Sequence, residues 1–269
     1  MSDSSLSSRK NAGLTDATDG TGPVVVMLHG APDHKESWRG VIDLLKADHQ
    51  CIALDLPGMG HFGPVPEGYD FSPKAQANWF EAWRSETLGN TPFTLLTHDI
   101  GAIMGACWAA YHAGPEQRLI VSNTVLSADH AWVGITKVWA SPILGPLFMA
   151  TLNGPAFRFA FGRDFPAVKP EQIRAMYAGL TRDARRSLLA FYRRLTRPDF
   201  FEVAQDALAD LASRVDLTTV WGQDDALIEP DQADQIGGRI IRLEGCGHWV
   251  PLERPDVFAA LVRGTFDQP

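Results

Sequence analysis

Cysteine is scarce in this chain: three residues in 269, Cys51, Cys107 and Cys246, odd in number and without pattern. That usage excludes a disulfide scaffold and suits a reducing compartment, so a cytoplasmic location is expected. Basic residues are also in the minority. There are 24 Lys and Arg against 32 Asp and Glu, a formal net charge of −8, which gives no electrostatic footprint for nucleic acid or anionic lipid. Residues 1–22 are polar and lack the apolar core of a signal peptide. The longest apolar stretch, Trp139 to Ala150, contains Pro142 and Pro146 and is about half of what a membrane-spanning helix needs. A Gly-x-Gly-x-x-Gly fingerprint, metal-ligand histidine spacing and solenoid-length repeats are all missing. Neither cofactor nor metal is therefore expected.

What is present is an alternation of strand-like and helix-like segments. Val24 to Leu28 is a continuous β-branched and apolar run, as in a strand buried on both faces. Similar runs follow at Cys51–Leu56, Phe93–Thr97 and Leu119–Leu126, and after a gap at Asp216–Gly222 and Arg239–Leu243. Amphipathic or Gly/Ala-rich segments separate them, among them Gly101–His112 and a closing helix over Pro255–Phe266. Alternation of this kind predicts right-handed βαβ units and a mostly parallel sheet. It stops between residues 129 and 203, where Ile173, Met176, Tyr177 and Leu180, then Leu188, Leu189, Tyr192 and Leu195, mark helical stripes. The predicted organisation is a polar tail (1–22), an α/β core (23–128 and 204–269) and a helical cap (129–203).

Ligands of a parallel α/β sheet bind at the carboxyl ends of its strands, and three such ends carry reactive side chains. After the third run comes Thr97-His98-Asp99-Ile100-Gly101, whose small flanking residues permit a sharp turn that exposes the central carboxylate. After Trp221-Gly222 come Asp224 and Asp225; after the last run comes Gly245-Cys246-Gly247-His248-Trp249.

These pieces, with His29-Gly30-Ala31-Pro32 and Asp55-Leu56-Pro57-Gly58-Met59-Gly60, resemble the α/β-hydrolase superfamily, in that family's order of nucleophile, acid and histidine. His-Gly-x-Pro followed by His-Asp-x-Gly resembles its epoxide hydrolase and haloalkane or haloacetate dehalogenase branch. The resemblance implies Asp99 as nucleophile, His248 as base and Asp225 as the acid that orients it. Asp224 is then a solvated neighbour and Asp129 a remote alternative. It also implies an oxyanion hole from the backbone N–H groups of Ile100 and Ala31. His98 and His29 read as structural. The chemistry is coherent on its own terms, because an ionised carboxylate needs no base to attack an sp³ carbon.

Dehalogenases of that branch hold the departing halide with N–H donors, often a tryptophan after the nucleophile and an asparagine in the His-Gly-x-Pro loop. Haloacetate enzymes carry an arginine after the nucleophile. This chain has Ile100 and Ala31 at those places. Epoxide opening instead needs a donor to the alkoxide, usually cap tyrosines, and Phe191-Tyr192-Arg193 resembles one such element. Tyr177 is the second candidate, with core packing an equal reading, and His130 is a further one. Trp38, Trp132 and Trp249 are candidate substrate-binding residues, with Trp108 and Trp139 as further possible donors. The arginines from Arg182 to Arg197 are expected on a solvated outer face. Epoxide hydrolysis is favoured, dehalogenation is the alternative, and a non-hydrolytic enzyme or small-molecule receptor of the same fold stays open. The expected partners are a small hydrophobic organic substrate and water, with no nucleic acid or membrane, in a monomer or homodimer.

Overall fold

A computed structural model describes residues 14–15, 22–127, 130, 132, 134–202 and 208–266. The strands are β1 (Leu14–Thr15), β2 (Val24–Leu28), β3 (Gln50–Leu54), β4 (Phe93–His98), β5 (Arg118–Ser122), β6 (Asp216–Gly222) and β7 (Arg239–Leu243). They form one sheet in the order β1-β3-β2-β4-β5-β6-β7. Every pairing from β3 to β7 is parallel, and β1 adds antiparallel at the edge. This is the α/β-hydrolase fold, with six parallel strands flanked by helices.

Both faces of the sheet are buried, and alternate residues of each strand divide between them. Val24, Val26 and Leu28 face one side with Leu95, Leu119 and Val121, where α2 (Pro73–Thr87) and α3 (Ile100–His112) pack. Val25 and Met27 face the other side with Leu96, Ile120 and Val220, covered by α1 (Arg39–Leu45) and the closing helix Pro255–Arg263. The period-2 division behind a continuous apolar run is what parallel strands require. All three cysteines are buried. Burial pushes the thiols of Cys51, Cys107 and Cys246 up to about 11, 12 and 12.

Three elements stop short of their expected ends. The strand expected over Leu119–Leu126 ends at Ser122, because Asn123 turns the chain at φ 37°. The strand expected over Cys51–Leu56 ends at Leu54. There Asp55 leaves the ladder to accept from the backbone N–H groups of Lys35 and His61 (both 2.9 Å), and the Leu56 N–H goes to His29 Nε2 (3.0 Å). The closing helix ends at Arg263 because Gly264 adopts a left-handed cap at φ 70°.

Between β5 and β6 the described chain is helical: α4 (Ile135–Ala140), α5 (Leu144–Thr151), α6 (Gly154–Asp164), α7 (Pro170–Gly179) and α8 (Arg182–Leu195). α6 and α8 start on side-chain caps, Asn153 Oδ1 to the Ala156 N–H (3.0 Å) and Thr181 Oγ1 to the Ala184 N–H (3.1 Å). One side of α8 is apolar and buried: Leu188, Leu189, Phe191, Tyr192 and Leu195. Arg182, Arg186 and Arg197 are exposed. Arg185 departs from the expected outer face, folding back to donate to the Leu180 and Leu152 carbonyls (3.0 and 3.3 Å). Arg194 pairs with Asp199 at 3.1 Å.

Candidate active site

β4 runs into α3 through a single residue, Asp99, at φ 49° and ψ −121°. A non-glycine residue there is strained, and the surroundings hold it in place. The Asp99 N–H donates to the Ser122 carbonyl (3.0 Å), and Thr124 Oγ1 donates to the Asp99 carbonyl (2.8 Å). The turn also needs its glycines. A Cβ on Gly101 would lie 2.5 Å from the carbonyl oxygens of Leu28 and His29, and one on Gly30 would lie 2.9 Å from the Asp99 Cβ.

The Asp99 carboxylate is 9% exposed, and its Oδ2 accepts from the Ala31 N–H at 2.8 Å. Burial raises its pKa above the ordinary carboxyl range; the charge of His248 and the N–H groups of Ala31 and Ile100 offset part of that. The two backbone donors expected to form an oxyanion hole therefore already point at this carboxylate.

His248, on the loop after β7, is 1% exposed. Its Nδ1 lies 2.8 Å from Asp225 Oδ2, which leaves Nε2 as the free ring nitrogen. Asp225 Oδ1 accepts from the Leu227 and Ile228 N–H groups (2.7 and 3.1 Å), while Asp224 is exposed. Burial by itself would lower the His248 pKa, but the charge and hydrogen bond of Asp225, with the charge of Asp99, outweigh it and raise the group above its ordinary value. Burial likewise opposes ionisation of Asp225, and His248, Asn123 and the Leu227 N–H reverse this, so its pKa is lowered.

Two residues to which the sequence assigns no role complete the arrangement. Asn123 Nδ2 donates to Asp225 Oδ2 at 2.7 Å, and its Oδ1 accepts from the Gly222 N–H at 3.0 Å. Glu253 accepts from the N–H groups of Gly247 (2.8 Å) and Trp249 (3.2 Å) and so braces the histidine loop from both sides. The structural histidines fit their expected places: His29 bridges Gly30 O and Leu56 N–H, and His98 contacts Ser122 Oγ at 3.2 Å.

Asp99 and His248 open onto one chamber of about 570 Å³, within the range of small-molecule sites. The β5–β6 helices supply most of its wall, including Trp139, Phe148, Phe157, Phe161 and Tyr192; His130, Trp132 and Trp249 also line it. The Tyr192 ring lies edge-on to Trp139 at 5.0 Å, and its hydroxyl has no hydrogen-bond partner among the described residues. Burial first, and then the Asp99 charge, hold that hydroxyl well above the usual tyrosine range.

Three candidates lie elsewhere. Trp38 is fully buried on the opposite face of the sheet, edge-on to Phe258 at 5.1 Å, because the turn that carries it packs beside α1 and not over the strand ends. Tyr177 sits behind the chamber wall on Phe157 (5.6 Å), where its hydroxyl donates weakly to the Leu152 carbonyl at 3.4 Å. Trp108 donates to Glu81 from the core at 2.8 Å. Asp129 lies outside the described residues. Among the described residues no group of His, Cys, Asp and Glu is arranged to hold a metal, and no helix is long and apolar enough to cross a membrane.

Residues 25–261 match the alpha/beta hydrolase family. The chain belongs to that family. Among the curated relatives of this alpha/beta hydrolase are cis-3-alkyl-4-alkyloxetan-2-one decarboxylases. The one from Xanthomonas campestris is 34% identical over 58% of this chain and 55% of its own length. The one from Shewanella oneidensis is 34% identical over 44% and 37%. The chain thus spans about half the length of these relatives, or less. The rat monoacylglycerol lipase ABHD6 is 27% identical over 89% of this chain and 74% of its own. A haloalkane dehalogenase of Mycobacterium marinum is 31% identical over 54% and 52%. Among solved structures, Cfl2 from Burkholderia cenocepacia superposes with a TM-score of 0.77 at 20% identity, over 94% of each chain. The epoxide hydrolase VrEH1 from Vigna radiata superposes with 0.72 at 18%, over 92% and 93%. Both likenesses are of fold.

Proposed function

We propose that this alpha/beta hydrolase opens an epoxide through a covalent ester on Asp99, with residues 129–203 as a cap that closes the site. The observation that carries the reading is a buried carboxylate at a strained elbow, in an apolar chamber with a hydrogen-bonded His248–Asp225 pair and a tyrosine hydroxyl that has no hydrogen-bond partner among the described residues. An ionised Asp99 attacks one ring carbon as its C–O bond breaks. Tyr192, held protonated, donates to the departing alkoxide. Attack on a carboxylic ester would instead give a reactive anhydride, so the nucleophile favours sp³ carbon.

His248 Nε2 then takes a proton from water as the water oxygen adds to the Asp99 carbonyl. The oxyanion is held by the Ala31 and Ile100 N–H groups, and Asp225 stabilises the imidazolium. Collapse breaks the bond between that carbonyl carbon and the alkyl oxygen. The leaving alkoxide takes the proton back from His248, and the water-derived proton left on Asp99 returns to the Tyr192 phenolate, so epoxide plus water gives a diol and both side chains are restored. The apolar wall excludes bulk water and strengthens each of these electrostatic contacts. The side chains of Ile100 and Ala31 offer no N–H to a halide, which disfavours dehalogenation.

A second reading draws on the decarboxylase relatives. An oxetan-2-one is also a strained ring with an sp³ C–O bond, so the same attack would leave a β-carboxylate on the Asp99 ester. Breaking the C–CO₂ bond would then form an alkene and release Asp99 without water. The chamber's apolar wall suits dialkyl substrates of either kind.

The test is mass spectrometry of His248→Gln incubated with epoxides, alkyl halides and oxetan-2-ones. An adduct equal to the whole epoxide is expected on the peptide that contains Asp99. A halide adduct, equal to the substrate minus hydrogen halide, in place of the epoxide adduct would favour dehalogenation. Alkene and CO₂ release by the same variant would favour decarboxylation. Saturable binding of all three classes without any adduct would sink the Asp99 nucleophile.

A further inference from the structure

The exposed side of the cap is unlike the rest of this acidic chain. From Val138 to Phe157 there is no charged residue, and from His130 to Arg163 no acidic one. Surface helices ordinarily put charge outward, and here the outward positions of α5 carry none. On α5, Gly145 and Met149 face inward and Phe148 and Leu152 reach the chamber. On the side that is left, Ile143, Leu144 and Leu147 are 76%, 53% and 60% exposed. On α6, Phe157 and Phe161 face inward, and Phe159 is 75% exposed on the far side. Lys137 and Arg158 bound the uncharged run, and neither has an ion-pair partner among the described residues. Arg163 lies beyond them and is paired with Asp164 at 2.7 Å.

We propose that the outer faces of α5 and α6, with Lys137 of α4 and Arg158 of α6 at the two ends of the uncharged run, dock on a lipid bilayer that bears anionic headgroups. Large exposed apolar side chains grouped on a soluble surface mark an interaction site. Apolar residues rimmed by cations suit the boundary between acyl chains and headgroups, where the apolar side chains enter and the cations meet the phosphates. Charge complementarity is local: the net charge of −8 opposes an anionic surface for the chain as a whole, whereas the stretch from Lys137 to Arg158 carries a cation at each end and no anion, and Arg163 beyond it is balanced by Asp164. The inner sides of the same two helices are walls of the chamber, so docking brings that chamber against the phase in which an apolar substrate concentrates. This proposal does not depend on the chemistry of Asp99.

Co-sedimentation of the full chain with vesicles tests it, comparing phosphatidylcholine alone with phosphatidylcholine containing phosphatidylglycerol. Binding to the phosphatidylglycerol vesicles is expected, and the double variant Leu147→Glu/Phe159→Glu should weaken it on the order of ten-fold or more. Lys137→Gln and Arg158→Gln should each weaken it roughly five-fold, and added salt should do the same to the unaltered protein. Because the salt titration needs no variant, it decides the electrostatic half even if a substitution disturbs folding, which a melting curve would reveal. The proposal is overturned if the unaltered protein stays in the supernatant with both vesicles. It is also overturned if the preference for phosphatidylglycerol is missing or salt-insensitive, or if the folded Glu variant binds undiminished. A dimer of the unaltered protein that the Glu variant converts to monomer would assign the face to a second copy of this chain and overturn it likewise.

Discussion

Asn123 and Asp225 are joined by a 2.7 Å hydrogen bond to Oδ2, the oxygen that also faces His248 Nδ1. The amide takes one lone-pair direction of that carboxylate and leaves the other to the imidazole, so the ring orientation depends on Asn123 although Asn123 does not line the chamber. Asn123→Ala is expected to slow breakdown of the Asp99 ester by about ten-fold while leaving its formation nearly unchanged. Single-turnover kinetics separates the two steps, and equal losses in both would refute this positioning role.

Tyr192→Phe removes a chamber hydroxyl on which the Asp99 charge acts. Epoxide alkylation of Asp99 should fall by about 10²-fold, since the alkoxide loses its donor. Any alkylation by halides should be unchanged, because a halide leaves without a proton. Rapid-quench measurement of adduct formation with both substrate classes gives the comparison; equal effects would assign Tyr192 to packing.

The pH dependence follows from the signs of two shifts. Burial raises the Asp99 pKa, and attack needs the ionised form, so ester formation is lost as pH falls through that raised value. His248 must be neutral to act as base. Its pKa is raised on balance, burial being outweighed by Asp225 and Asp99, so ester breakdown is lost as pH falls through that value. Esterification deletes the Asp99 charge, which is one of the groups holding His248 up. The breakdown limb should therefore lie at lower pH than the His248 titration of the free enzyme. NMR titration of the imidazole against the pH profile of ester breakdown tests this, and coincident values would contradict it.

Asp33 is a buried carboxylate whose Oδ1 accepts from the His34 N–H at 2.8 Å and whose Oδ2 has no hydrogen-bond partner among the described residues. Burial pushes its pKa up to about 8. A carboxyl that is harder to ionise in the folded chain binds more protons there than in the unfolded one. Stability is therefore lost as pH rises from the ordinary carboxyl range, about 4, towards 8. Asp33→Asn keeps the Oδ1 acceptor and removes the ionisation. It should be more stable than the unaltered chain at pH 8 by about 1–3 kcal/mol, with a smaller difference at pH 5. Denaturant titrations at both values measure it.

The sheet and the elbow were legible in the sequence because their signals are local. A parallel strand buried on both faces must be a continuous apolar run, and a turn as tight as Asp99's must be flanked by small residues. The sidedness of Trp38 was not legible, since nothing in a loop sequence says over which face of the sheet it will pack. Tyr177 and Tyr192 sit on equivalent helical stripes, and only the packing of α7 against α6 separates the one behind the wall from the one within it. Asn123 was hidden by its neighbours: Val121, Val125 and Leu126 read as one strand, and the single left-handed residue that breaks it leaves no trace in hydropathy. The exposed apolar ridge of the helices between β5 and β6 was hidden in the same way, since a sequence average of −8 conceals a stretch bounded by cations and free of anions.

The burial of the three cysteines bears on durability. A protein that admits strained rings or other alkylating agents is itself full of nucleophiles, and a thiolate is the strongest of them at neutral pH. With the Cys51, Cys107 and Cys246 thiols buried and pushed up to about 11, 12 and 12, thiolate is nearly absent and out of reach. None of the three lines the chamber. On the proposed chemistry, an electrophile that enters meets a carboxylate whose ester can be undone, and no thiol among the described lining residues that would keep the alkyl group for good. Such a catalyst resists poisoning by its own substrate.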